Sequence, residues 1–391
     1  MMQMKKYISN VIQDIPPSGI RRFFDLVTQT QGVISLGVGE PDFVTPWHIR
    51  EACFYSLERG YTMYTSNLGL LELREEIAAY EKRTIGVTYS PENDILVTVG
   101  VSEAIDLALR ALVEPGDEVL IPEPSYVSYS PGARMVYGKP VSLMTYEADG
   151  YRLRPDILEQ SITPKSKILI LPYPTNPTGG IMTYDDLQAL VDIIIKHDLI
   201  VISDEIYSEL TYQGQHVSIA SFPGMQDRTI VFNGFSKAFA MTGWRIGYAC
   251  GHPEIINAMN KIHQYTIMCA PIMAQMAAIE ALRHGQAEMR KMVDNYNYRR
   301  KLMLNGFRQV GLTCFEPKGA FYCFPSISSS GMESEDFCEK LLIEEKVAVV
   351  PGNAFGKSGE GYIRCCYAAS INNIEEAIDK IGSFLYRHIK E

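Results

Sequence analysis

Four short polar stretches hold the residues best suited to chemistry, and each follows an apolar, β-branched run. Asn233-Gly234-Phe235-Ser236-Lys237 follows residues 229–232, with Arg245 eight positions after the lysine. Asp204-Glu205-Ile206-Tyr207 follows 199–203, and the Pro- and Gly-dense Pro172-Tyr173-Pro174-Thr175-Asn176-Pro177-Thr178-Gly179-Gly180 follows 168–171. Gly100-Val101-Ser102-Glu103 follows 95–99; Ser102 is expected to open a helix carrying Ile105, Leu109 and Leu112. Taken singly, these read as a turn with a solvated lysine, a rigid loop and an ordinary capped helix start. Taken together, they offer an amine, an arginine, a carboxylate at a strand end and backbone N–H groups at a helix start, where a phosphate is favoured.

An amine attacks a carbonyl only when it is neutral, and desolvation beside another cation is what lowers its pKa far enough. A lysine in an enclosed site between a phosphate and aromatic rings, with a cation nearby, can meet that condition. The set therefore fits a Schiff-base cofactor, pyridoxal 5′-phosphate.

These stretches need a scaffold that ends its strands at one edge. Between about residues 95 and 250, short apolar runs alternate with helical patterns, among them a helix carrying Leu187, Leu190, Val191 and Ile194 behind an N-cap signal at Thr183 and Asp186. That alternation predicts an α/β fold, with a mainly parallel sheet flanked by helices in a large domain. Such sheets bind ligands beyond the carboxyl ends of their strands. The C-terminal part reads as a smaller α+β domain, with a long polar helix near 286–310, strands near 320–324 and 348–350, and a final helix near 374–388. The expected division is 46–284 for the large cofactor-binding domain and 1–45 with 285–391 for the small one. Pro16-Pro17-Ser18-Gly19 is expected to be extended.

Composition narrows the function. The 391 residues are 46% hydrophobic and 21% charged, as in an ordinary globular protein rather than a disordered or fibrous one. A formal charge of −10 opposes nucleic acid. No apolar run reaches a membrane span, and polar residues follow Lys5-Lys6, so neither membrane nor secretory leader is expected; the expected compartment is cytoplasmic. The eight cysteines form no C-x-x-C pair and read as free thiols, with Cys365-Cys366 alternating across a strand. The seven histidines show no ligand spacing, so no metal is expected. Glu40-Pro41 stops Gly37-Val38-Gly39 from continuing as a dinucleotide fingerprint.

Gly234-Phe235-Ser236-Lys237-Ala238-Phe239-Ala240-Met241-Thr242-Gly243-Trp244-Arg245-Ile246-Gly247-Tyr248 resembles the cofactor-lysine signature of class I/II aminotransferases, fold type I pyridoxal-phosphate enzymes. Leu36-Gly37-Val38-Gly39-Glu40-Pro41-Asp42-Phe43, Asn176-Pro177-Thr178-Gly179, Asp204-Glu205-Ile206-Tyr207 and Tyr362-Ile363-Arg364 are similar to further motifs of that family, in its order. The resemblance spans about residues 15–385.

The resemblance implies a role for each residue. Lys237 would hold the cofactor and then move a proton between the substrate Cα and the cofactor's C4′. Asp204 would keep the pyridine nitrogen protonated, so that the ring acts as an electron sink. Asn176 and Tyr207 would bond the ring's 3′ oxygen, and Tyr126 would stack on its face. The phosphate would be held at Val101-Ser102-Glu103, by Ser236 and Arg245, and by Tyr64 from the other subunit of a homodimer. Many relatives carry a hydroxyl residue where this chain has Gly234. Arg364 would clamp the substrate α-carboxylate with a bidentate fork, completed by the Gly39 backbone and Asn176.

The expected activity is ping-pong transfer of an amino group from an L-amino acid to a 2-oxo acid, with 2-oxoglutarate as acceptor. A pyridoxal-phosphate β-lyase or synthase is the alternative enzyme. The alternative of another class is a cofactor-binding regulator, which would need a DNA-binding domain for which the chain has no spare length; a nicotinamide-binding protein stands third. Aspartate-selective members often place a lysine where this chain has Ser102. Ile20, Tyr64, Tyr126 and Phe321 are expected to line a mostly apolar pocket, which favours alanine-like, large apolar or aromatic donors.

Overall fold

A computed structural model describes residues 4–16 and 31–388. Its strands in chain order are β1 (Ile34–Ser35), β2 (Ile95–Thr98), β3 (Glu118–Glu123), β4 (Lys139–Met144), β5 (Ser166–Leu171), β6 (Ile200–Asp204), β7 (Thr229–Gly234), β8 (Gly247–Cys250), β9 (Tyr322–Cys323), β10 (Val347–Ala348), β11 (Val350–Pro351) and β12 (Ile363–Cys366). The main sheet has seven strands in the order β2-β8-β7-β6-β5-β3-β4. β4, β3, β5, β6 and β7 are parallel, whereas β8 runs antiparallel to both β2 and β7. The fold is the α/β class read from the sequence.

Strand pleating explains why both faces carry helices, since successive side chains point to opposite sides of a strand. In β5, Ile168 and Ile170 share a core with Ala104, Leu107 and Ala108 of the helix Val101–Leu112. Leu169 and Leu171 share another with Leu187, Leu190 and Ile194 of the helix Tyr184–Lys196. That second helix starts at the expected place, with Thr183 and Asp186 forming a reciprocal capping box. The first starts one residue earlier than expected: Gly100 is the N-cap, and no side chain caps it.

The antiparallel strand β8 decides what meets at the carboxyl edge. Gly247, at its start, is in register with Thr98 of β2 and Gly234 of β7, both at the ends of their strands. Reversing the strand thus sets Arg245 between the helix start at Gly100 and the lysine loop. β8 is short and poor in β-branched residues, and β4 is a half-exposed edge, so neither carries a strong sequence signal.

A second assembly is built from both ends of the chain. β11, β12 and β9 form an antiparallel sheet, and β1 pairs in parallel with β10. The helix Gln286–Gln309 and the helix Ile371–His388 pack against each other, the latter burying Ile374, Ala377, Ile378, Ile381, Phe384 and Leu385 along one stripe. The strands here are shorter than expected, and the final helix begins three residues before the expected 374. All eight cysteines are free thiols. Pro17, Ser18, Gly19 and Ile20 lie outside the described residues. Among the described residues, no helix is long and apolar enough to cross a membrane, and no cluster of His, Cys, Asp or Glu could hold a metal ion.

Candidate active site

Of the residues expected at the site, Gly39, Val101, Ser102, Tyr126, Asn176, Asp204, Tyr207, Ser236, Lys237, Arg245 and Arg364 line one cavity of about 340 Å³. Two others given a role at the phosphate do not line it. Glu103 turns its carboxylate toward His263 and the Val99 amide, and Tyr64 is 79% exposed on the surface.

Lys237 stands in the turn after β7 and donates to the Gly39 carbonyl at 2.7 Å. Burial pushes its amine down to about 8, with Arg364 and Arg245 acting in the same direction. That raises the neutral fraction well above that of an ordinary lysine near pH 7, and a lysine must be neutral to act as a nucleophile.

Asp204 ends β6 and is buried. Its Oδ2 accepts from the Tyr129 hydroxyl at 2.7 Å, and its Oδ1 from the Ile206 amide at 3.3 Å. Burial raises the carboxyl to about 6, while these two bonds hold it lower than burial alone would. A partner carrying a proton on nitrogen would complete such a carboxylate.

The other end of the cavity carries positive charge. Gly100 has φ +75°, and a Cβ there would stand 2.7 Å from Arg245 Nη2, so glycine lets the guanidinium lie against the helix start. Arg245 Nη1 also donates to the Thr242 carbonyl at 3.0 Å. Backbone N–H groups at a helix start, the helix dipole, Ser236 and a guanidinium form a suitable set for a phosphate.

Arg364 lies in β12, 3% exposed. Nη1 donates to Asn176 Oδ1 at 2.9 Å and Nη2 to the Gly37 carbonyl at 2.6 Å. Its guanidinium lies 4.5 Å from the centre of the Tyr322 ring and 4.9 Å from that of Phe355. Its Nε is buried without a hydrogen-bond partner among the described residues. A buried, unsatisfied guanidinium donor is suited to an anionic ligand.

Sequence reading alone singles out neither Tyr129 nor Tyr322. Tyr322 lines the cavity, and its hydroxyl is 2.7 Å from that of Tyr207. Phe321, expected to line the pocket, is instead fully buried behind it, edge-on to Tyr207 with ring centres 5.4 Å apart. Neighbouring strand residues face opposite ways, so an error of one position exchanges core for cavity. Tyr129 stands three positions after Tyr126 at the start of the helix Tyr129–Met135, a weak signal for a carboxylate partner.

Comparison with known proteins matches residues 31–381 to the family model for aminotransferase class I and II. The chain belongs to the class I and II aminotransferase family. This aminotransferase is 51% identical to the Bacillus subtilis protein YugH, over 98% of this chain and 100% of that one. It is 45% identical to the aspartate aminotransferase of Pyrococcus abyssi, covering 97% of this chain and 98% of that one. It is also similar to the solved structure of the aromatic aminotransferase from Pyrococcus horikoshii, with a TM-score of 0.90 at 44% identity over 93% and 99% of the two chains. The aminotransferase is a transaminase with amino-acid and 2-oxo-acid substrates, and its family is known to depend on pyridoxal phosphate.

Proposed function

We propose that this transaminase binds pyridoxal 5′-phosphate and moves an amino group from an L-amino acid to a 2-oxo acid, 2-oxoglutarate being the preferred acceptor. The observation that carries the reading is one cavity holding a buried Lys237 of lowered pKa, the carboxylate of Asp204 and the guanidiniums of Arg245 and Arg364. When bound, the cofactor supplies a carbonyl for C=N formation and a ring that accepts the electron pair from Cα.

The chain's residues do the rest. Arg245, Ser236 and the amides at Val101, Ser102 and Glu103 hold the phosphate, and Tyr126 covers one ring face. Asn176 and Tyr207 bond the 3′ oxygen. Asp204, kept in place by Tyr129, keeps the proton on the ring nitrogen. Arg364, Asn176 and the Gly39 backbone would hold the substrate α-carboxylate, so that Lys237 could move a proton between the substrate Cα and the cofactor's C4′. Residues 46–284 act as the cofactor domain, while 1–45 with 285–391 bring Gly39 and Arg364 to it. The proposed compartment is the cytoplasm and the proposed assembly a homodimer, with the partner subunit's Tyr64 reaching the phosphate; the exposure of Tyr64, Met63 and Phe54 supports an interface there. Neither nucleic acid nor membrane takes part.

For the donor, we propose alanine-like, large apolar or aromatic amino acids. Lys237, Arg245 and Arg364 are the cationic side chains lining the cavity among the described residues, and each already has a task. Pro172, Pro174, Ile105 and tyrosine rings supply much of the remaining wall. The distal carboxylate of 2-oxoglutarate is left to hydroxyl and backbone donors.

The test is a donor panel in two formats. Without acceptor, one equivalent of oxo acid per active site should appear; with 2-oxoglutarate, turnover should follow. Oxo acid released beyond one equivalent without acceptor would overturn the ping-pong reading, and aspartate as the best donor would overturn the proposed selectivity.

A further inference from the structure

We propose that His263, acting through Glu103, is a positioning residue for the cradle that holds the cofactor phosphate, an inference that rests on the pyridoxal-phosphate reading above. Glu103 is the third residue of the helix Val101–Leu112, yet its side chain faces away from the cavity. Oε2 accepts from the Val99 amide at 2.5 Å, bridging the turn from β2 into the helix. Oε1 lies 2.8 Å from Nδ1 of His263, a fully buried residue of the helix Pro253–Thr266.

The hydrogen bonding assigns the roles in this pair. His263 Nε2 is buried with no hydrogen-bond partner among the described residues, so the ring proton belongs on Nδ1, where Glu103 accepts it. The Val99 amide and the imidazole thus hold the two oxygens of one carboxylate. Gly247 closes the turn from the β8 side, because a Cβ there would stand 2.8 Å from the Val101 nitrogen and 3.0 Å from the Gly100 carbonyl carbon. The amides proposed to meet the phosphate are therefore set between β8 and the Glu103–His263 pair.

Removing His263 would leave a buried carboxylate with one oxygen unsatisfied. Its nearest relief is to rotate toward water, which breaks the Val99 bond and brings negative charge toward the phosphate. The damage should fall on the phosphate and spare the rest of the cofactor. The helix bearing His263 also reaches the segment proposed to serve the dimer. The Ile267 and Met268 amides bond the His263 carbonyl at 2.8 and 2.9 Å, and Asn67, three residues from Tyr64, donates to the Met268 carbonyl at 2.7 Å.

Equilibrium binding of pyridoxal 5′-phosphate and of pyridoxal, which lacks the phosphate, to the full-length apoenzyme tests this. His263→Leu should weaken pyridoxal phosphate binding about tenfold or more and leave pyridoxal within about twofold, as expected for loss of a bond to a charged group. His263→Asn, whose amide can replace Nδ1–H, should restore most of the difference. Equal losses for both ligands would make His263 merely structural, and no loss for either would remove it from the cradle; both overturn the proposal. Should His263→Leu fail to fold, Glu103→Leu removes the Val99 bond directly and leaves no buried charge, and the same selective loss is expected; equal losses for both ligands would overturn the proposal. A wild-type protein that binds neither ligand would instead overturn the cofactor reading itself.

Discussion

Tyr129 donates a hydrogen bond to Asp204 at 2.7 Å, with both side chains buried at the wall of the cavity. Burial alone would favour the neutral acid, and this bond and the Ile206 amide counter it, leaving the carboxyl at about 6. Asp204 is thereby kept available as an anion for a protonated ring nitrogen. Tyr129→Phe removes the hydroxyl and nothing else. The Asp204 carboxyl of the cofactor-free protein should then titrate higher, and kcat of the loaded enzyme near neutrality should fall about tenfold, the scale of one bond to a charged group. Steady-state kinetics of both proteins checks this; an unchanged kcat would show that the Tyr129 bond does not serve the reaction.

Lys237 should cost the empty protein stability. Its folded pKa of about 8 lies below the ordinary 10.5, mainly because of burial. The unfolded chain therefore binds more protons between those values, and stability rises with pH across that window; below about 8 the penalty is present in full. Lys237→Met should stabilise the apoprotein at pH 7 by on the order of 2–3 kcal/mol, and flatten the rise between pH 8 and 10.5. It should also abolish covalent cofactor attachment and nearly all transamination. Urea unfolding of both apoproteins at pH 7 and at about pH 10 measures the first effect. Borohydride labelling of the wild type, mapped to Lys237, measures the second.

Arg364→Lys keeps the charge and removes the planar fork. Two parallel N–H groups are lost, along with contact to the Tyr322 and Phe355 rings. Every amino acid and oxo acid should bind more weakly by ~1.5–3 kcal/mol, because all share the α-carboxylate. The visible spectrum of the resting holoenzyme should persist. Steady-state kinetics with one small and one aromatic donor separate the possibilities: loss confined to one donor would mean that Arg364 reads the side chain.

Gly39 faces the hydroxyl of Tyr322. A Cβ at Gly39 would lie within van der Waals overlap of that oxygen, while the next atoms of the ring stand 3.3 Å away or more. Gly39→Ala should therefore displace Tyr322 and raise KM for all donors several-fold, at a cost of about 1–3 kcal/mol for overpacking. Adding Tyr322→Phe removes the obstructing oxygen and should recover part of that loss. Strictly additive effects in the double-mutant cycle would show that the two positions do not compete for space.

Gly234 illustrates a local departure with a tertiary cause. A Cβ there would stand 2.9 Å from the Gly247 Cα and 3.1 Å from the Ile246 carbonyl oxygen. Gly234→Ser should therefore force β7 and β8 apart and lower Tm, and a gain in phosphate affinity is not expected. Thermal unfolding with and without cofactor measures both outcomes.

Much of this protein is legible in its sequence because the relevant signals are local. Continuous apolar runs mark strands buried on both faces, the capping box at Thr183 and Asp186 marks a helix start, and Lys237, Asp204 and Asn176 each stand just beyond such a run. Nothing local records which strand lies beside which. Placing β8 antiparallel between β2 and β7 brings Arg245 against Gly100, and pairing β1 with β10 carries Gly39 to Lys237, 198 positions away. The same holds for Tyr129 with Asp204 and for His263 with Glu103, contacts made across 75 and 160 positions. A buried carboxylate needs a donor, but only the packing of helices on the sheet determines which residue provides it.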